Sequence, residues 1–149
     1  MKKILIIILL IFFICGCTSS TKKEYLKYIE ELKLVEKSSK SYPFNIEVKY
    51  DKIIDQEVRY QVILDDVKDD ITDIEMICYH DKETKDIYPS IGIFDDKESL
   101  LKNKKPSGLI LVGYIPYKKD INNFHITMKV LVKYKINNKE YKIHYVTKK

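Results

Sequence analysis

Alanine and tryptophan are absent from the 149 residues, arginine occurs once, and glycine and proline number four each. The glycine shortage excludes a glycine-rich phosphate cradle. No G-x-x-x-x-G-K-[ST], G-x-G-x-x-G or G-x-S-x-G occurs, so nucleotide, dinucleotide and nucleophile-elbow chemistries have no support. The missing tryptophan and the scarce cysteine remove the Cys…Trp…Cys marker of antibody-type domains. No apolar run approaches the ~20 residues of a membrane-spanning helix. The longest is Ile4 to Ile14, eleven residues. What is present is lysine, 26 times, with 23 isoleucines and 12 tyrosines. These three residues share AT-rich codons, so the lysine excess is poor evidence for nucleic-acid binding, and no nucleic-acid partner is expected. With 45% hydrophobic and 33% charged residues, the composition is that of one folded domain rather than a disordered chain.

Lys2 and Lys3 precede the eleven-residue run, which matches the charged and apolar regions of a signal peptide. Directly after it stands Ile14-Cys15-Gly16-Cys17, followed by the polar Thr18-Ser19-Ser20. This segment resembles the lipobox of bacterial lipoproteins, with Cys15 in a position where alanine, serine or threonine is commoner. The resemblance implies cleavage between Gly16 and Cys17 and a diacylglyceryl thioether on Cys17. It implies a chain held on the extracytoplasmic face of the cell membrane. Two acyl chains suffice for a stable anchor, whereas one gives only reversible binding. Cys15 then leaves with the signal, and Cys78 is the one remaining thiol. No intramolecular disulfide is expected, and Cys78, in an apolar segment, reads as a buried core thiol.

The remainder divides into a tether with one helix, residues 17–41, and a β-domain, residues 42–149. Thr21-Lys22-Lys23-Glu24 fits a capping box, and Tyr25, Tyr28, Ile29, Leu32 and Val35 form one stripe at helical spacing. A helix is predicted over about 22–37, as a spacer docked on the domain. From Phe44 onward the period becomes two. Phe44, Ile46, Val48 and Tyr50 alternate with polar residues, as do Val58, Tyr60, Val62 and Leu64. Phe124 to Ile136 places seven apolar residues on one face. Further strands are predicted at 72–79, at 87–94 on an edge because of Pro89, at 109–115, and at 141–145. The 109–115 strand is apolar on both sides, as if covered on both, and one helical turn is expected within 95–102.

Seven strands at even intervals predict an all-β antiparallel sandwich preceded by one helix. The alternative is an α+β fold in which the helix packs on a single curved sheet, as in cystatin-like folds. The strand Gly108 to Pro116 after a Lys/Pro loop, with the long final hairpin, resembles the immunoglobulin-like domains that follow lipoboxes in lipoproteins of low-GC Gram-positive bacteria.

No catalytic constellation is legible, so a non-enzymatic protein without cofactor is expected. His80, His125 and His144 form no zinc pattern. Cys78 and His80 share one side of a strand, where the ordinary reading is a rim histidine. The acidic run Asp65 to Asp73 lacks the glycine and spacing of a calcium loop and reads as a solvated connection. Charge is the remaining unusual feature: residues 17–96 carry −7 and residues 97–149 carry +10. With Ile136 placed opposite Tyr141, the last hairpin sets Lys135 against Lys142, Lys133 against His144, and Lys129 against Lys148. Lys129, Lys133, Lys135 and Lys142 then form a candidate anion-binding strip. Its compensation is either intramolecular, from residues such as Glu47 or Glu57, or external, from lipid headgroups or an anionic envelope polymer. The expected function is a lipid-anchored surface domain that binds or scaffolds an envelope protein or polymer. The alternative is a small solute- or metal-binding lipoprotein.

Overall fold

The computed structural model describes residues 20–54, 56–104 and 108–149. The predicted signal segment, Cys17 and the start of the tether lie outside the described residues, as does part of the Lys/Pro loop, 105–107. Helix α1 covers 20–34. Eight strands follow: β1 (Asn45–Ile54), β2 (Glu57–Asp65), β3 (Ile71–His80), β4 (Ser90–Ile91), β5 (Glu98–Leu100), β6 (Leu109–Pro116), β7 (Thr127–Ile136) and β8 (Lys139–Lys148). A 3₁₀ turn, Ile121–Asn123, precedes β7.

The strands form two antiparallel sheets. One has the order β1-β2-β6, and the other β4-β3-β7-β8 with β5 paired to the start of β3. The period-two pattern explains the layering. Val58, Tyr60, Val62 and Leu64 of β2 are buried, as are Met128, Val130, Val132 and Tyr134 of β7, and both sets join one apolar core between the sheets. The single-sheet alternative is therefore excluded, although its helix-on-sheet contact is also present. Tyr25, Tyr28, Ile29 and Leu32 of α1 pack on Ile77 of β3, Leu131 of β7 and Ile93. Ile77 and Leu131 occupy outward positions on their strands, so this second core lies on the outer face of the larger sheet.

Several expectations are corrected. The helix already runs at residue 20, so Thr21 lies within it rather than capping it. It stops at 34 instead of 37 because the following residues bind the edge of β8. Ser39 N donates to His144 O (2.8 Å), Val146 N donates to Ser38 Oγ (2.9 Å) and His144 N to Ser39 Oγ (3.0 Å). Residues 98–100 form β5 rather than part of a helical turn. Leu100 is buried opposite Ile71, and that tertiary pairing prevails over the local acidic composition. This raises the strand number from seven to eight.

The final hairpin is shifted by two residues from the expected register. Ile136 pairs with Lys139, which sets Lys135 against Glu140, Lys133 against Lys142, Leu131 against His144 and Lys129 against Val146. The cause is a two-residue turn. Asn137 and Asn138 have φ of 48° and 63°, the pair of left-handed conformations that a type I′ turn requires and asparagine tolerates. A bulge at Asp73 (φ 52°) offsets β3 against β7, Asp73 and Ile74 facing Tyr134 alone, and lets Ile71 and Ile74 both face the core. Finally, β6 is an edge strand covered on one side only. Its outward Ile110, Val112 and Tyr114 are exposed, because no layer lies beyond that sheet among the described residues.

Candidate functional site

The two concentrations of chemistry are a cleft at the β3–β4 connection and a charged seam beneath α1. The cleft is built on β3. Cys78 and His80 point to the same side of the strand, and both are buried. The Cys78 thiol donates to Tyr60 Oη (3.4 Å), and burial pushes it up to about 12. It is a protonated core thiol. His80 Nδ1 lies 3.2 Å from Lys82 O, which accepts its proton, so Nε2 is the unprotonated nitrogen. Burial pushes the ring below the ordinary histidine range and keeps it neutral. The imidazole is held edge-on between Tyr60 and Tyr88, with ring centroids 5.6 and 5.0 Å away. Tyr88 Oη donates to His80 O (3.3 Å) and closes the group.

Above these rings opens a cleft of about 230 Å³, walled by Tyr88, Pro89, Val112 and Tyr114, with Thr84, Asp86 and Ile87 at its mouth. Gly113 is what makes room for its floor. It pairs with Tyr60 across the sheet, and a Cβ there would collide with the phenol. The signal in the sequence was an isolated glycine inside an apolar strand, which marks the close approach of another group. Among the described residues, the hydrogen bond of the His80 ring is the one made by Nδ1.

The seam lies between α1 and the outer face of β3, β7 and β8, and it takes up all four candidate anion-binding lysines. Lys129 Nζ donates to Lys33 O (2.9 Å). Lys133 lies 3.6 Å from Glu24, 3.7 Å from Glu75 and 3.5 Å from Glu140. Lys135 pairs with Asp73 at 2.7 Å and Lys142 with Glu31 at 2.8 Å. His144 Nε2 is 2.7 Å from the same Glu31 carboxylate. The carboxylates that meet Lys133, Lys135 and Lys142 within the chain are Glu24, Glu31, Asp73, Glu75 and Glu140 rather than Glu47 or Glu57, while Lys129 meets a backbone carbonyl. Glu47 pairs with Lys49 on the opposite sheet. Part of the charge asymmetry of the sequence is met here, since Glu24 and Glu31 of α1 and Asp73 and Glu75 of β3 lie against lysines of β7 and β8.

Glu75 is the centre of the seam. Its carboxylate is buried, with Lys97 Nζ at 2.5 Å and a hydrogen bond from Tyr28 Oη at 2.7 Å. Burial raises its pKa. The hydrogen bonds from Lys97 and Tyr28 and the charge of Lys133 outweigh burial and hold it below the ordinary glutamate range.

The acidic 65–73 segment disperses rather than converging. Asp65 accepts from Asn45 Nδ2 (2.9 Å), Asp70 from Lys102 N (2.8 Å), and Asp73 pairs with Lys135. Among the described residues no group of three or more His, Cys, Asp or Glu is arranged to hold a metal ion. Comparison with protein-family models, curated proteins and solved structures finds no match to this chain.

Proposed function

We propose that this chain is a lipid-anchored extracytoplasmic domain, attached through Cys17 to the outer face of the cell membrane, that binds or scaffolds an envelope component without catalysis. The observation that carries the proposal is the Ile14-Cys15-Gly16-Cys17 lipobox at the end of an eleven-residue apolar run. A helix docked on the domain begins by residue 20, so the acylation site stands immediately before folded structure. The Cys17→Ala variant is expected to accumulate as an uncleaved precursor that incorporates no labelled fatty acid. Labelling equal to that of the native protein would contradict the proposal.

The same reading includes an immunoglobulin-like topology. It is supported by the order β1-β2-β6 against β4-β3-β7-β8, which fits A-B-E against C′-C-F-G with β5 as an addition, the connections crossing between sheets after β2, β5 and β6. Such sandwiches commonly bind through loops and edges, and here the cleft beside β6 and the exposed Ile110, Val112 and Tyr114 are the free surfaces of that kind.

A second reading, small-solute binding, is favoured by the cleft, to which His80 contributes its ring. It predicts that a small hydrogen-bond-donating solute raises the melting temperature of the native protein and not of Gly113→Val, in which a side chain intrudes on the cleft floor. Equal shifts in both proteins would exclude the cleft as the site.

A further inference from the structure

The start of α1 is tied closely to the position of the anchor. Only Thr18 and Ser19 separate Cys17 from residue 20, three steps along the chain, and an extended chain advances at most ~3.6 Å per residue. The helix start therefore lies within about 11 Å of the Cys17 Cα, whose side chain carries the glyceryl group when acylated. At 1.5 Å of rise per residue, Tyr25 lies only about 8 Å further along the axis. The Tyr25 ring packs on Phe94 at 5.1 Å between centroids, and its hydroxyl donates to Tyr88 O (3.1 Å). The loop after β4 thus borders the anchored end of the helix.

This border is apolar and open. Phe94 is 55% exposed although its neighbour Ile93 is buried beneath the helix. Leu26 is 50% exposed. Glu24 and Glu31 mark the flank of α1 that faces β7 and β8, through Lys133, Lys142 and His144. At 100° per residue, Leu26 falls on the other flank, the side on which Phe94 lies. Lys22, Lys23 and Lys27 are exposed on the same first turns; Asp95 and Asp96, which follow Phe94, are exposed too, and Asp95 accepts from Gly92 N (2.7 Å). An apolar pair beside lysines, within reach of a two-chain lipid anchor, has the character of an interfacial contact.

We infer that Leu26 and Phe94 rest in the headgroup region of the bilayer, so that the anchored domain lies against the membrane by this flank instead of standing free on a stalk. The inference rests on acylation at Cys17. It leaves the outer face of β6, on the sheet remote from α1, directed away from the lipid.

The absence of tryptophan provides a clean test, because any introduced tryptophan is the sole one. Full-length acylated protein carrying Phe94→Trp, Leu26→Trp or Tyr114→Trp is reconstituted into phosphatidylcholine vesicles with and without brominated acyl chains. Zwitterionic lipid keeps lysine attraction out of the result. Both flank reporters should be blue-shifted and quenched about twofold by brominated lipid, as expected for side chains 5–10 Å into the interface. Tyr114→Trp should be unaffected. If the protein floats with the vesicles but the flank reporters are quenched no more than Tyr114→Trp, the inference is overturned and the anchor stands. A blue shift without quenching has the same consequence and indicates a protein neighbour instead. Failure to float with vesicles at all overturns the anchor, and the inference with it.

Discussion

Replacing Leu32 with alanine should lower the unfolding free energy of the fragment from residue 20 onward by about 2–5 kcal/mol, the range for emptying a fully buried leucine site. Leu32 is wholly inaccessible, enclosed by Tyr28, Ile29, Ile77 and Leu131. A helix of this length is marginal alone in water. It exists because its stripe covers apolar positions on the outer face of β3 and β7. Loss of Leu32 therefore removes contacts on both sides of that junction. The internal control is Leu34, on the same last turn but 83% exposed, whose replacement by alanine should change stability by less than about 0.5 kcal/mol. Urea denaturation followed by circular dichroism reads both. Near-equal midpoints for the two variants would mean that α1 is a free spacer in solution.

Glu75→Gln should cost about 2–3 kcal/mol at neutral pH, less than the ~3–5 kcal/mol of breaking a fully buried pair, because Lys97 can return to water. The Lys97 side chain is 45% exposed and that of Lys133 19%, whereas that of Glu75 is 3%. The loss is tied to charge. The folded-state pKa of Glu75 lies below its unfolded value of ~4.3, so its contribution is complete above that value and disappears as pH falls through the folded pKa. The stability gap between native protein and variant should therefore be constant from pH 7 down to about 5 and close progressively below about 4.3. Glu31 and Asp73 are also held low, Glu31 against its burial by Lys142 and His144, and Asp73 by Lys135. Both are unchanged in the variant, so the difference isolates Glu75. A gap that stays constant to pH 2.5 would show that packing rather than charge is lost.

The two kinds of periodicity were legible because each reports burial on a local face. Tyr25, Tyr28, Ile29 and Leu32 are all buried, while Val35, the last residue of the predicted stripe, falls beyond the helix and is half-buried; Leu34, off the stripe, is exposed. The alternating residues of β2 and β7 line the core as their spacing required. The hairpin register was not legible for a simple reason. Moving the partner of Ile136 from Tyr141 to Lys139 is a shift of two, which leaves every side chain on the same face. Hydrophobic pattern is blind to that change, and only the left-handed pair Asn137-Asn138 decides it.

The lysine strip shows the opposite limit. Alternation placed Lys129, Lys133 and Lys135 together on one face, but Glu24 and Glu31, which meet Lys133 and Lys142, come from a helix about 110 residues earlier. No local pattern reports that distance. In β6, two-sided hydrophobicity predicted two covering layers, and the fold supplies one. The outward Ile110, Val112 and Tyr114 are therefore a property of the surface that single-chain packing leaves unsatisfied. The cleft was missed because its floor depends on Gly113 lying across from Tyr60, a pairing between strands some fifty residues apart.

The anchor can be tested most directly on the native protein, by intact-mass and N-terminal peptide analysis of the chain extracted from membranes with detergent. The account predicts a mature polypeptide that begins at Cys17, carries a diacylglyceryl group on that sulfur, and has lost residues 1–16. A chain that retains Met1, or one released to the medium with Cys17 unmodified or removed, would contradict it.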